Sequence, residues 1–176
     1  ERDLRVDKLD TVELDLKLPI RSLSKWRLRG KLMTRGATAG LVGVQQRFTD
    51  VTGSATIRNT RITATDLTAT LLGEPVKISV DPVDDPQSAF SHRAFVRGRI
   101  PVSKIQDALG ISDFDLIAGD VAMEAQAMFP GGGGEASPFR LFLRSDLTGF
   151  SSQLPDPVNK SADSSDGLNM ELQFPE

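Results

Sequence analysis

Apolar and polar residues alternate along most of this chain with a period of two, the spacing that sends successive side chains to opposite faces of a β-strand. In the stretch from Val51 to Val80, Val51, Gly53, Ala55 and Ile57 alternate with Thr52, Ser54, Thr56 and Arg58. After a turn at Asn59-Thr60 the rhythm resumes with Ile62 and Ala64, changes parity near Asp66, and continues through Leu67, Ala69 and Leu71. Gly73-Glu74-Pro75 marks a second turn, and Val76, Ile78 and Val80 repeat the alternation. The parity change predicts a bulge or break at Asp66, because a one-residue slip would otherwise turn the apolar set outward. The stretch therefore reads as three or four antiparallel strands joined by tight turns.

The same pattern covers much of the remaining chain. Val12, Leu14, Leu16 and Leu18 share one side of a strand over Thr11 to Ile20, and Trp26, Leu28 and Leu32 continue it with Gly30 as a bulge or bend. From Thr34 to Asp50 the pattern weakens, and Gly36, Gly40 and Gly43 suggest irregular connections around Leu41 and Val42. Asp81 to Ser88 is a loop by its prolines and aspartates, and Phe90 to Ile100 is a strand with His92, Ala94, Val96 and Ile100 on one face. Pro101 to Gly110 is the one helix, with Val102, Ile105 and Leu109 at helical spacing, Pro at its start and Gly at its stop. It is expected to lie against the sheet or to plug one end. Val121, Met123, Ala125, Ala127 and Phe129 alternate on the next strand, Pro130 to Gly134 form a flexible hairpin tip, and Phe139, Leu141 and Leu143 follow, running on into Ser145 to Phe150. Residues 151–167 are expected to be an exposed loop, and Leu168, Met170, Leu172 and Phe174 make the last strand. The fold class is all-β and mainly antiparallel: a curved, twisted open sheet or β-groove of about ten short strands with one short helix, forming a single β-rich unit over residues 1–176.

Composition narrows the chemistry. Aromatic residues make up only 6 % of the chain, with no Tyr and one Trp, so a thin sheet is favoured over a thick sandwich of large side chains. A net charge of -3 excludes a nucleic-acid partner of the usual basic kind. Cysteine is absent, which removes disulfides, thiolate metal sites and a cysteine nucleophile. The chain opens at Glu1 with neither a signal peptide nor a run of roughly 18 apolar residues, and reads as a piece of a longer protein whose anchor lies elsewhere. No residue is assigned to catalysis, metal or cofactor binding. The lone histidine, His92, sits in a strand without a nucleophile elbow nearby, and its ordinary role is that of a partly buried strand histidine. Asp81, Asp84 and Asp85, and also Asp163 and Asp166, lack the spacing of a calcium loop and read as solvated turn residues. Arg27, Arg29 and Lys31, like Arg97 and Arg99, form basic stripes that suit a wetted outer face, with anionic lipid head groups as the alternative contact.

The C-terminal third carries a recognisable motif. SDLTGFSSQLPDPVNKSA resembles the S-D-L-x-G, L-P-x-P, K stretch of the YhdP family of AsmA-like proteins through Ser145, Asp146, Leu147, Gly149, Leu154, Pro155, Pro157 and Lys160. Residues 52–80, with Leu71-Leu72-Gly73 and Pro75-Val76, are similar to that family's repeating sheet unit. The resemblance implies a segment of a Gram-negative envelope protein, held in the inner membrane by a helix outside this chain and extending through the periplasm as an apolar groove. It implies phospholipid acyl chains, the remaining repeats of the parent protein and other envelope proteins as partners, and no enzymatic role. Ser145 and Asp146 would be turn residues. Val76, Ile78, Val80, Val121, Met123, Ala125, Leu141 and Leu143 are then the candidates for lipid contact, and a closed β-sandwich acting as a scaffold or partner-binding module is the alternative.

Overall fold

The computed structural model describes residues 4–6, 11–17, 27–41, 46–85, 87–111, 115–131 and 139–174. In chain order the elements are β1 (Leu4–Val6), β2 (Thr11–Lys17), β3 (Arg27–Leu41), β4 (Arg47–Arg58), β5 (Arg61–Leu71), β6 (Glu74–Pro82), β7 (Phe90–Pro101), α1 (Val102–Leu109), β8 (Ile117–Pro130), β9 (Phe139–Ser145), β10 (Phe150–Ser152) and β11 (Leu168–Phe174). The strands lie side by side in the order β1, β3, β4, β5, β6, β7, β8, β9, β11, with β2 also against β3 and β10 against β8. Every described pairing is antiparallel. The sheet is open and does not curl closed, and the described residues supply no second sheet to cover it.

Three bulges keep the apolar alternation on one face. Between Ala64↔Val80 and Leu67↔Ile78, β5 advances one residue more than β6, which places the extra residue at Thr65-Asp66 where the sequence changes parity. The same offset appears on the β4 side of β5. A second extra residue lies between Thr34 and Ala37 of β3, and a third between Phe48 and Val51 of β4. Gly36 (φ 72°) and Asp50 (φ 53°) turn the chain at these two points. Local hydrogen bonds fasten them: the Gly36 amide donates to Thr52 Oγ1 at 3.2 Å, and that hydroxyl donates to the Asp50 carbonyl at 3.1 Å.

These bulges explain where the sequence pattern misleads. The supposed irregular region after Thr34 is a continuous part of the fifteen-residue β3, and its rhythm weakens because extra residues interrupt the parity while pairing continues. Gly30 is no bulge; it pairs regularly with Leu14 and Ile57. The second hairpin turns on Leu72 and Gly73, both at positive φ, while Glu74 and Pro75 already belong to β6. The strands are also longer than expected, β8 reaching fourteen residues. After β9 the chain turns before starting the short β10, so Ser145 to Phe150 is not one run. Within 151–167, Ser152 and Lys160 are buried although most of their neighbours are exposed. Pro130, expected in the hairpin tip, is the last residue of β8, and Leu18, Trp26, Val42, Gly43 and Gly132 to Gly134 lie outside the described residues.

Small side chains make up much of the core. Ala37, Val51, Ala69, Val76, Val96 and Ala125 form one buried cluster, and Ala94, Ala127 and Phe139 another. Helix α1 starts after Pro101 and ends at Gly110 in the left-handed region. It lies back on β7 and β8, and Ile100, the largest fully buried side chain among the described residues at 1 % exposure, sits at that junction. Its buried residues are Val102 and Gln106, whereas Leu109, expected on the apolar face, is 67 % exposed. The helix is too short to cover more than the ends of two strands.

Gly119 and Gly36 separate close approach from backbone strain. A Cβ on Gly119 (φ 98°) would lie 1.9 Å from the Gly149 carbonyl oxygen, whereas one on Gly36 would meet nothing within 4 Å. Gly119→Ala should therefore destabilise the fold by more than about 2 kcal/mol, and Gly36→Ala by about 1 kcal/mol. Urea unfolding of the two variants checks the ranking, which equal losses would contradict.

Candidate functional site

Directly paired residues in an antiparallel sheet point to the same side, so the register reads out each face. One row runs Leu67, Ile78, Val96, Ala125, Leu143, Met170 across β5, β6, β7, β8, β9 and β11. The row beside it runs Ala64, Val80, Ala94, Ala127, Leu141, Leu172. On its other side lie Ala69, Val76, Gly98 and Met123, followed by Ile100 and Val121 next to α1. None of these positions carries a charge. Six strands spaced by about 4.8 Å give the first row a span of about 24 Å.

The structure places all eight sequence candidates on this face: Val76, Ile78, Val80, Val121, Met123, Ala125, Leu141 and Leu143. They differ in what they offer a ligand. Val76, Ala125 and Val121 are buried and form the floor, while Ile78, Val80, Met123, Leu141 and Leu143 are half-buried and stand above it. Leu67, Met170 and Leu172 extend the face beyond the candidates, the last two being about 40 % and 37 % exposed on β11. The alternation of β5 and β11 could have identified them in the sequence. At one margin the rings of Phe129 and Phe139 meet with centroids 5.6 Å apart.

The opposite face is polar. Arg97 pairs with Glu124, Arg140 lies near Glu171, and the guanidinium groups of Arg93 and Arg97 sit over the ring of Phe95. A cavity of about 390 Å³ opens against Glu124, Gln126, Phe142, Leu143, Arg144, Asn169, Met170 and Glu171. Its lining mixes charged and amide groups with the apolar Phe142, Leu143 and Met170.

The motif begins at Ser145, the last residue of β9, and continues into a knot that joins β9, β10 and β11. Ser145 Oγ accepts the Leu147 amide at 3.0 Å, and Asp146 Oδ1 accepts the Thr148 amide at 3.0 Å, so both act as turn residues. Gly149 donates to the Ala162 carbonyl at 2.9 Å and accepts from Asp120 at 3.2 Å, tying the knot to β8. Leu154 donates its amide to Ser152 Oγ, the Pro155 carbonyl accepts the Val158 amide, and Pro157 follows a cis peptide bond. Lys160 closes the assembly. Its backbone exchanges two hydrogen bonds with Ser152, and its buried ammonium donates to the carbonyls of Phe150, Ser161 and Ser164. The exposed Asp166 carboxylate lies 4.0 Å away.

His92 is a strand residue with a structural task. Its Nε2 accepts the Ile62 amide at 2.9 Å, beyond the last β5–β6 pair, and its Nδ1 meets Ser91 Oγ at 3.0 Å. Neither ring nitrogen meets a carboxylate, so no charge-stabilised catalytic pair forms there. Burial, and after it the Arg61 cation, lower its pKa from 6.5. Among the described residues no group of three His, Asp or Glu side chains could hold a metal ion, and no helix is long and apolar enough to cross a membrane.

An open, mainly antiparallel sheet with one uncharged apolar face, its connections fastened by the motif residues, defines an all-β protein. The model of the YhdP protein family matches residues 4–176, and the chain belongs to that family. Membership is consistent with an AsmA-like protein of the bacterial envelope. No curated protein and no solved structure matches the chain.

Two outcomes follow from this geometry. Lys160→Met leaves three carbonyls without their donor and should cost about 3 kcal/mol, with faster proteolysis inside 150–167; unchanged urea stability would remove the lysine from its structural role. Because the folded state favours neutral His92, its contribution is complete above about pH 6.5 and is lost as the pH falls through the lowered folded value. The urea midpoint of the wild type should therefore drop over that interval relative to His92→Gln, and parallel pH profiles would show the imidazole to be inert.

Proposed function

We propose that this chain is a non-enzymatic section of a lipid-shielding β-groove in the periplasm of a Gram-negative bacterium, passing phospholipid acyl chains along its apolar face between the inner and outer membranes. The observation that carries this reading is a charge-free apolar face continuous across six strands and left without a second layer among the described residues. An acyl chain in water costs about 0.8 kcal/mol per CH2, more than about 10 kcal/mol for an ordinary chain, and an apolar wall lowers that barrier. Branched aliphatic side chains and Met offer contact without direction, so a hydrocarbon tail meets no fixed polar anchor along the rows. Membership of the YhdP family supports the envelope setting. The remainder of the parent protein would continue the wall and supply the inner-membrane anchor.

A sealed sandwich scaffold would need an opposing sheet over these rows, and the described strands form a single one. Photo-crosslinking residues at Ile78, Met123 or Leu143 in the parent protein should capture phospholipid, while one at Arg144 on the β9 end of the polar face should not. Equal labelling at Arg144, or capture of protein alone at the apolar positions, would replace the conduit with a scaffold.

A further inference from the structure

The face opposite the apolar rows concentrates positive charge, although the chain as a whole carries -3. Register sets Arg29 directly opposite Arg58, and Arg58 directly opposite Arg61, on three successive strands. Further along, Lys77 stands opposite Arg97. Like charges in such positions oppose sheet pairing. Arg61 is answered by Asp84 and Arg97 by Glu124. No carboxylate among the described side chains pairs with Arg29, Arg58 or Lys77, and at the outer strand the register brings Asp15 alongside Arg29. On the same face Asp81 stands opposite Arg93, Asp120 lies near the start of β8, and register sets Glu13 opposite Lys31, while Asp107, Asp115, Asp156, Asp163 and Asp166 lie on the helix and in loops.

The shape of this cationic area restricts what it can receive. From β3 to β7 it crosses five strands, a width of about 19 Å at the usual spacing. The cavity on this face lies beyond it, against β8, β9 and β11. Thr52, Ser54, Thr56 and Thr68 fill the positions between the cations, and the exposed Met33 (41 %) stands among them. Dispersed cations, hydroxyls and a protruding thioether on a broad face match a layer of anionic head groups over shallow hydrocarbon better than one phosphate in a pocket or a polyanion held in a groove.

We propose that this polar face docks on an anionic phospholipid surface. The contact uses the side of the sheet that the acyl-chain rows do not, so it stands or falls separately from the conduit reading. Vesicles of phosphatidylglycerol should sediment with the 176-residue chain and vesicles of phosphatidylcholine should not, with binding that weakens as salt rises. Each cation removed should weaken binding about fivefold, and the combined Arg29→Gln, Arg58→Gln, Lys77→Gln variant about a hundredfold, with circular dichroism unchanged. Leu109→Gln, at an exposed position of α1 outside both faces, should bind phosphatidylglycerol like the wild type. Equal binding to the two lipids, full binding by the triple variant, or an equal loss in Leu109→Gln would overturn the proposal. So would retention on soluble polyphosphate without vesicle binding, which would assign the face to an acidic macromolecule.

Discussion

Side-chain parity is the constraint on which the rest of this structure depends. A strand has two faces and no third option, so a single inserted residue would send every later apolar side chain to the wrong side. Here β3, β4 and β5 each contain one such residue, and in each case the insertion is absorbed by a bulge. Thr34 and Ala37, Phe48 and Val51, and Ala64 and Leu67 consequently share a face despite their odd separations. The uninterrupted apolar surface is thus a property of the bulges as much as of the hydrophobic residues.

That surface has an unusual energetic character. Its deepest layer is largely Ala and Val, while Ile78, Leu141, Leu143 and Met123 remain half-buried above it. Small residues in the floor limit how much each strand gains from side-chain burial, so backbone pairing between long strands carries a large share of the cohesion. The half-buried residues above them retain apolar area in contact with water. In an ordinary single-layer sheet that area would be covered by helices, but among the described elements α1 packs mainly on β7 and β8. Apolar area left uncovered by the described elements is what the groove reading requires.

How much of this was legible in the sequence depended on whether the signal was periodic. The strands from Val51 to Val80, the bulge at Asp66, the α1 boundaries and the shared face of the eight lipid candidates all follow from alternation or end signals. The long β3 did not, because Gly36 and the offset beside it erase a period of two while leaving the hydrogen bonding intact. Leu109 misled because helical spacing defines a stripe but cannot say whether anything lies beneath it. The knot around Lys160 was hidden for a different reason. Its polar composition is that of a loose loop, and only the convergence of three carbonyls on one ammonium makes it a compact unit. A family motif marked those residues, yet what they fasten is three-dimensional.

The directions of the two regular spacings also bear on how a hydrocarbon could travel. Along β7 and β8, an apolar path is bounded by α1 with Ile100 and Val121 at one margin and by Phe129 and Phe139 at the other. Across the strands, the same type of side chain recurs at every step of about 4.8 Å, and each strand offers the next contact before the last is lost. A tail lying along the strands would meet those margins, whereas one lying across them could advance by exchanging similar contacts. Because none of the row positions is charged, no single step of that exchange is an electrostatic trap. On the groove reading, transport therefore runs perpendicular to the strands, and the bulges matter most where they keep consecutive rows aligned in that direction.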